Sequence, residues 1–236
     1  MKPPIVRLLP QGECGIVVEL GSSIDVVVNR RVVALAGAIA GELAGKIVEV
    51  VPTYRSLLVV FDPLRVSRAA LARKIRALAA RAGGRADRRP TPERRRVVEI
   101  PVVYGGDHGP DLEFVAGVAG LTPLEVVAIH SSCTYRVHML GFTPGFPYLG
   151  GMSGQIAAPR LEVPRERVPS GSVGIAGEQT GIYPIESPGG WRLIGRTPLR
   201  LFDPDRQEPF LVAAGDEIRF APIDPEEWER FQEGSR

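Results

Sequence analysis

Lysine, histidine and cysteine are all scarce in this chain of 236 residues, and each scarcity excludes something. Two cysteines, Cys14 and Cys133, cannot build a disulfide framework, and their spacing fits no metal motif. Three histidines, His108, His130 and His138, are too few for a histidine-rich metal centre. Only three of the 29 basic residues are lysines, yet the net charge is +2, which gives no mandate for nucleic acid or a membrane surface. No window holds the roughly 18 uncharged apolar residues that a membrane-spanning helix requires. The opening stretch MKPPIVRLLPQGECG lacks the apolar core of a signal peptide, so the expected location is the cytoplasm. Missing too are the Gly-x-x-x-x-Gly-Lys-Ser/Thr phosphate loop, the Gly-x-Ser-x-Gly elbow, the His-Glu-x-x-His pair and the kinase signatures. If the chain handles a nucleotide, it does so through no standard motif.

What is present reads as a soluble globular protein of one large or two small domains. The first part repeats a pattern. IVRLLP and CGIVVELG have the character of strands, followed by a helical stretch, IDVVVNRRVVALAGAIAGEL. IVEVVPTY and SLLVVFDP then precede a second helix, SRAALARKIRALAARAG, with Ala70, Leu71, Ile75, Leu78 and Ala79 near one face. Ser67 is placed to cap that helix and Gly83–Gly84 to stop it. Two strand-strand-helix units predict a small α+β domain, a ferredoxin-like sandwich with helices on one face of an antiparallel sheet. RADRRPTPERRR, residues 85 to 96, carries six arginines and two prolines and reads as a solvated linker. The domain boundary is placed there, giving residues 1–88 and 89–236.

The second part opens on a strand, VVEIPVVYGG. In GPDLEFVAGVAG, Pro110 suits a first helical turn, with Asp111 and Glu113 near the positive end of the dipole. In TPLEVVAIHSS, Thr122 and Glu125 have capping-box spacing around Pro123. Beyond residue 133, short apolar runs broken by Gly and Pro predict a mainly-β barrel or sandwich.

Two loops carry the chemical interest. LGFTPGFPYLGG, residues 140 to 151, is uncharged and combines four glycines with two prolines. Phe142, Phe146 and Tyr148 can wall a pocket around Gly145, or simply plug a barrel corner. PRERVPSGSVGIAGEQTGIYPIESPGGW sets Arg165, Ser170, Ser172, Glu178, Gln179 and Thr180 among glycines. Exposed amides with an arginine make a cradle for carboxylate or phosphate; tight hairpins would need the same glycines. His130 ends the capped helix, where it can shuttle a proton near neutral pH or serve as a structural side chain. Cys133 has no base near it in sequence and reads as a core cysteine.

HSSCTYRVHMLGFTPGFPYLGGM and VPSGSVGIAGEQTGIYPIESPGGWRLIGRTPLRLFDP, with IPVVYGGDHGPDL and RFAPI, resemble one bacterial family throughout the second domain. It is the family of the B-type subunit of 5-oxoprolinase, also described as allophanate hydrolase subunit 1 or the KipI-type histidine-kinase inhibitor, within the carboxyltransferase-domain group. The resemblance implies a cyclophilin-like barrel from about residue 97 onward. It implies a C-type partner with a related barrel, a third, A-type partner, and ATP as co-substrate with Mg²⁺. ATP would phosphorylate the lactam oxygen of 5-oxoproline so that water can open the ring to glutamate, chemistry that needs positioning and charge stabilisation more than a protein nucleophile. On that basis Arg165, His130 and Gln179 are the expected catalytic residues, with the backbone of Gly171–Gly174 receiving anionic oxygens. Phe142, Gly145, Phe146, Tyr148, Ser172, Gly174, Thr180 and Tyr183 are expected to contact substrate. No metal ligand is assigned; Asp203, Asp205 and Asp216 are the nearest carboxylates. The resemblance also admits inhibition of a sensor histidine kinase and a carboxyltransferase-related role in urea or allophanate metabolism, although no Met-Lys-Met biotin site is present.

Overall fold

The computed structural model describes residues 6–23, 25–86 and 96–233. The chain divides into two compact units, Met1–Arg94 and Arg95–Arg236. The division falls inside the arginine-rich run; the linker expected there lies, at 87–95, outside the described residues.

In the first unit, alternating apolar residues form β1 (Arg7–Gln11), β2 (Gly15–Glu19), β3 (Ile47–Pro52) and β4 (Ser56–Phe61). Two helices complete it, α1 (Val26–Glu42) after β2 and α2 (Arg68–Ala86) after β4. The sheet is antiparallel throughout, in the order β1-β2-β4-β3. A ferredoxin-like unit runs β-α-β-β-α-β. Here two strands precede the first helix, because the short turn between β1 and β2 lets them pair directly as a hairpin. Asp25 caps α1 by accepting from the amides of Val27 (2.8 Å) and Val28 (2.9 Å). Ser67 Oγ accepts from the Ala70 amide at 3.3 Å at the start of α2. The expected stop at Gly83–Gly84 does not occur, and α2 continues to Ala86. Glycine lowers helix propensity by only about 1 kcal/mol, too little to end a packed helix by itself. Ile16, Val18, Leu57 and Val59 of the sheet meet Val32, Leu35 and Ile39 of α1 and Leu71, Ile75 and Leu78 of α2 in one core.

The second unit is a mixed seven-stranded barrel with additional helices and a small second sheet. Its elements in order are β5 (Val97–Tyr104), α3 (Leu112–Ala119), α4 (Pro123–Ser132), β6 (Tyr135–Leu140) and β7 (Pro147–Gly150). Then come β8 (Arg165–Val168), β9 (Ser172–Ala176), β10 (Gln179–Ile182), β11 (Ser187–Gly189), β12 (Arg192–Arg196), β13 (Glu217–Pro222) and α5 (Trp228–Glu233). The barrel closes in the order β10-β7-β6-β13-β5-β12-β9, with β13 and β5 parallel and the other pairs antiparallel. β8 and β11 form a separate two-stranded ribbon.

Side-chain alternation separates the two faces of the barrel wall. Leu149, Val173, Ile175, Ile182 and Ile194 fill the interior with Ile100, Tyr135, Val137, Ile218 and Phe220. Val126 of α4 and Leu112, Val115 and Ala116 of α3 join the same core. The opposite face of β7, β9, β10 and β12 supports a second cluster of Phe146, Val168, Ala176, Tyr183, Trp191 and Leu193. The Thr122–Glu125 capping box begins α4, with Pro123 in its first turn. Among the described residues no single helix is long and apolar enough to cross a membrane.

Candidate functional site

The inner face carries one polar chain. His130, in the last turn of α4, is fully buried. Its Nδ1 lies 2.7 Å from the Tyr104 hydroxyl and its Nε2 lies 3.0 Å from Thr180 Oγ1. Thr180 donates its hydroxyl proton to the Gly174 carbonyl at 3.0 Å, so it accepts from His130 Nε2–H. Nδ1 is then the acceptor for the Tyr104 O–H, which fixes a neutral tautomer. The Phe220 ring stacks on the imidazole at 4.4 Å between centroids, and the Tyr135 hydroxyl donates to the His130 carbonyl at 2.8 Å. Burial lowers the His130 pKa to about 3 and raises those of Tyr104 and Tyr135 beyond the range of ordinary buffers. The chain is neutral and its hydrogen bonds are complete, which makes it a polar strut in an apolar barrel.

The outer face is aromatic and cationic. Phe146 is its hub, edge-on to Tyr148 (5.1 Å between centroids), Tyr183 (5.4 Å), Trp191 (5.4 Å) and Phe142 (5.7 Å). Such edge contacts hold aromatic rings in defined orientations. Gly181 permits the packing: a Cβ there would sit 2.9 Å from Phe146 Cζ and 3.1 Å from Trp191 Cζ3. A Cβ on Gly189 would occupy the space of the Tyr183 hydroxyl. Val168 of the β8–β11 ribbon belongs to the cluster, so the ribbon covers this part of the wall.

An ion-pair node fixes the ribbon. Arg165 Nη2 is 2.9 Å from both carboxylate oxygens of Asp111, and Nη1 donates to the Trp191 carbonyl at 3.4 Å. Asp111 also accepts from the Leu193 amide at 2.6 Å, and Arg192 Nη1 stands 3.9 Å away. Asp111 stands at the positive end of the α3 dipole, as expected. It occupies the N-cap position of α3 without capping the helix, because its carboxylate is committed to β8 and β12. Arg192 is further held by the Pro159 carbonyl at 3.1 Å and lies 3.6 Å over the Phe114 ring. Exposed Arg160 lies 5.9 Å from the Trp191 ring centroid.

The family model for the carboxyltransferase domain, subdomains C and D, matches residues 6–212. The chain belongs to this carboxyltransferase-domain family. It is 43% identical to the B-type subunit of 5-oxoprolinase from Bacillus subtilis over 235 residues, covering 95% of each chain. A conserved uncharacterized protein from Pyrococcus horikoshii, of solved structure, is 49% identical with a TM-score of 0.56, covering 94% of this chain and all of that one. The urea carboxylase of Kluyveromyces lactis shares the fold, with a TM-score of 0.74 at 22% identity, over 98% of this chain and 23% of that one.

In this carboxyltransferase-domain chain the expected residues separate onto the two faces. His130 and Thr180 meet inside the barrel, where Thr180 reaches the Gly174 carbonyl, while Phe142, Phe146, Tyr148, Tyr183 and Arg165 gather outside it and the Gly174 α-carbon faces Trp191 and Leu193 there. Ser172 is buried, with its carbonyl accepting from the Tyr183 amide at 2.8 Å. The amides expected to cradle an anion are spent: Gly171 donates to the Tyr183 carbonyl at 2.7 Å and Ser172 to the Pro169 carbonyl at 3.2 Å. Val173 and Gly174 pair with both neighbouring strands of the barrel. Gln179 is half-buried at the start of β10. Gly145 adopts a left-handed conformation (φ 82°) against Phe202 and Phe210. Phe142 has φ 67° and is 66% exposed, making it the non-glycine residue with positive φ among those described. Sequence reasoning does not pick out Tyr104, Asp111, Arg160 or Trp191 as site residues. A tryptophan directly after Gly189–Gly190 is the sequence signal that could have added Trp191 to the aromatic residues already expected.

Proposed function

We propose that the chain is the B-type subunit of an ATP-dependent 5-oxoprolinase, inactive alone and working with C-type and A-type partners to phosphorylate and open 5-oxoproline to glutamate. The observation that carries this reading is 43% identity to a protein of that name over 95% of both chains. The cyclophilin-like description of the barrel belongs to the same reading. ATP would supply the phosphoryl group that activates the lactam oxygen. This chain would supply exposed Phe142 and half-buried Tyr148, held on a buried aromatic cluster of Phe146, Tyr183 and Trp191, with exposed Arg160 beside it. Arg165, paired with Asp111, holds the ribbon in register and presents only part of its guanidinium to a ligand.

The carboxylates do not fit a Mg²⁺ site. Among the described residues no three Asp, Glu, His or Cys side chains gather. Asp203 accepts from Arg200 (3.1 Å) and the Asp205 amide (3.2 Å), and Asp216 from the Ala213 amide (2.9 Å). The mechanism therefore assigns this chain no metal ligand. A carboxyltransferase-related role in urea or allophanate metabolism is the second reading, favoured by the family model and the fold shared with a urea carboxylase.

The test is 5-oxoproline-dependent ATP hydrolysis by the purified chain alone and mixed with its C-type and A-type partners. Turnover confined to the mixture supports the first reading. An assembled mixture that turns over a urea-derived substrate and not 5-oxoproline selects the second.

A further inference from the structure

The sheet of the first unit has two faces, and the helices of that unit cover one. Both α1 and α2 pack on the face that carries Ile16, Val18, Leu57 and Val59. On the opposite face the register draws a row straight across the sheet: Leu9 pairs with Val17, Val17 with Leu58, and Leu58 with Val51. The next row along the strands is Gln11, Gly15, Val60 and Glu49. No member of either row belongs to the core of the unit. Leu9 is 36% exposed, and Val17, Leu58, Val51 and Val60 are partly exposed. A sheet packed on one face normally turns polar residues to the other. Here that other face carries an apolar stripe four strands wide, the kind of surface that marks an interaction site.

The edges of the sheet are closed to a further strand. β1 carries Pro10, and β3 carries Pro52 and a register shift between Ile47 and Glu49. Proline and bulges block edge-to-edge pairing, so a partner meets this sheet face-on. The charges on the face stand at opposite corners. Beside β1 and β2, Arg7 lies 3.1 Å from the Glu19 carboxylate and Arg55 3.4 Å from it, two cations on one anion. At the far end of the diagonal, exposed Glu49 on β3 forms no ion pair with a described residue. One corner is therefore positive and the other negative.

We propose that this face takes a second copy of the chain, in a two-fold dimer whose sheets stack crosswise. A two-fold axis along the remaining diagonal lays the Arg7 corner of each copy on Glu49 of the other, with stripe against stripe, an isologous contact in the orthogonal mode of sheet packing. Four strands and three rows make a footprint of roughly 400 Å² per copy. That is about half of what each side of a standard stable interface buries, so the dimer is weak and concentration-dependent. It stands whichever substrate the second unit serves.

Sedimentation equilibrium of the full-length chain, from micromolar to millimolar concentration, should show a reversible monomer–dimer equilibrium that high salt weakens. Glu49→Arg and Arg7→Glu should each weaken it about tenfold or more, because like charges then face each other at both corners. An equimolar mixture of these two variants should regain the parent affinity, since every corner again meets its opposite. Leu9→Lys, which touches no ion pair, tests the stripe by itself and should also weaken the dimer. All three positions lie outside the core, so the melting temperatures should match that of the parent chain. A chain that stays monomeric at millimolar concentration overturns the interface. A dimer indifferent to Leu9→Lys and to both charge reversals lies on another surface and overturns it as well. Failure of the mixture to recover would overturn the crosswise two-fold arrangement.

Discussion

Inside the wall formed by β9, β10 and β12, His130 has both ring nitrogens engaged, through Tyr104 and Thr180. Outside the same wall, Arg160 rests on Trp191 and makes no ion pair to a described residue. Both are polar groups set against aromatic rings, yet the consequences differ. A buried polar group with every partner satisfied costs little and specifies one packing arrangement; losing a partner costs its full desolvation. A cation at a rim retains donors for a ligand. Histidine is the residue usually suspected of proton transfer, but in this barrel it is the one whose chemistry is already consumed. Exposed Arg160 keeps its donors.

The largest effect is expected at His130. His130→Ala should destabilise the second unit by about 3–5 kcal/mol, combining a cavity with an orphaned Tyr104 hydroxyl, as read by urea denaturation. A loss below about 1 kcal/mol would mean the strut carries no structural load.

The same group sets an acid limit. Its folded pKa, about 3, lies below the ordinary histidine value of 6.5, so the unfolded chain binds this proton more readily. The His130 contribution is therefore constant above pH 6.5. Stability then declines by about 1 kcal/mol per pH unit as pH falls toward 3, where the folded state also protonates. NMR of the ring should show no His130 titration between about pH 5 and 8. A midpoint near 6.5 would contradict the closed hydrogen-bond chain.

Asp111→Ala is expected to cost about 2 kcal/mol, less than a fully buried pair because Arg165 is 28% exposed. It should also loosen the β8–β11 ribbon, measured as faster amide exchange at Val168 while Thr180 is unaffected. Equal loosening at both would show that the two faces are not independent.

Phe142 gives the smallest effect. With φ 67°, a phenylalanine carries a backbone penalty that glycine does not. Phe142→Gly should be about 1 kcal/mol more stable than Phe142→Ala, by thermal denaturation, since alanine removes the ring and keeps the strain.

The elements legible in the sequence are those specified locally. The Thr122–Glu125 box needs three residues of separation, and the alternation of β2 and β4 needs two. The site is assembled across much longer separations: Arg165 finds Asp111 54 residues away, and His130 finds Thr180 50 residues away. Their residue types suggest reactive groups, but the sequence holds no sign that barrel closure neutralises one and pairs the other. The glycines of 171–174 are legible as close-approach positions. What approaches is the Thr197 carbonyl at Gly171 and the Trp191 side chain at Gly174, with Gly171 and Ser172 already donating to protein carbonyls. Local composition cannot distinguish an amide aimed at a ligand from one aimed at a neighbouring strand.

The most direct measurement compares the two faces in one assay: 5-oxoproline KM and melting temperature for the assembled mixture carrying Tyr104→Phe or Arg160→Gln in this chain. Tyr104→Phe, which strands His130 Nδ1, should lower the melting temperature and leave KM unchanged. Arg160→Gln should raise KM about tenfold and leave the melting temperature unchanged. The reverse pattern, a KM that moves with Tyr104 and not with Arg160, would place the ligand inside the barrel and contradict the account.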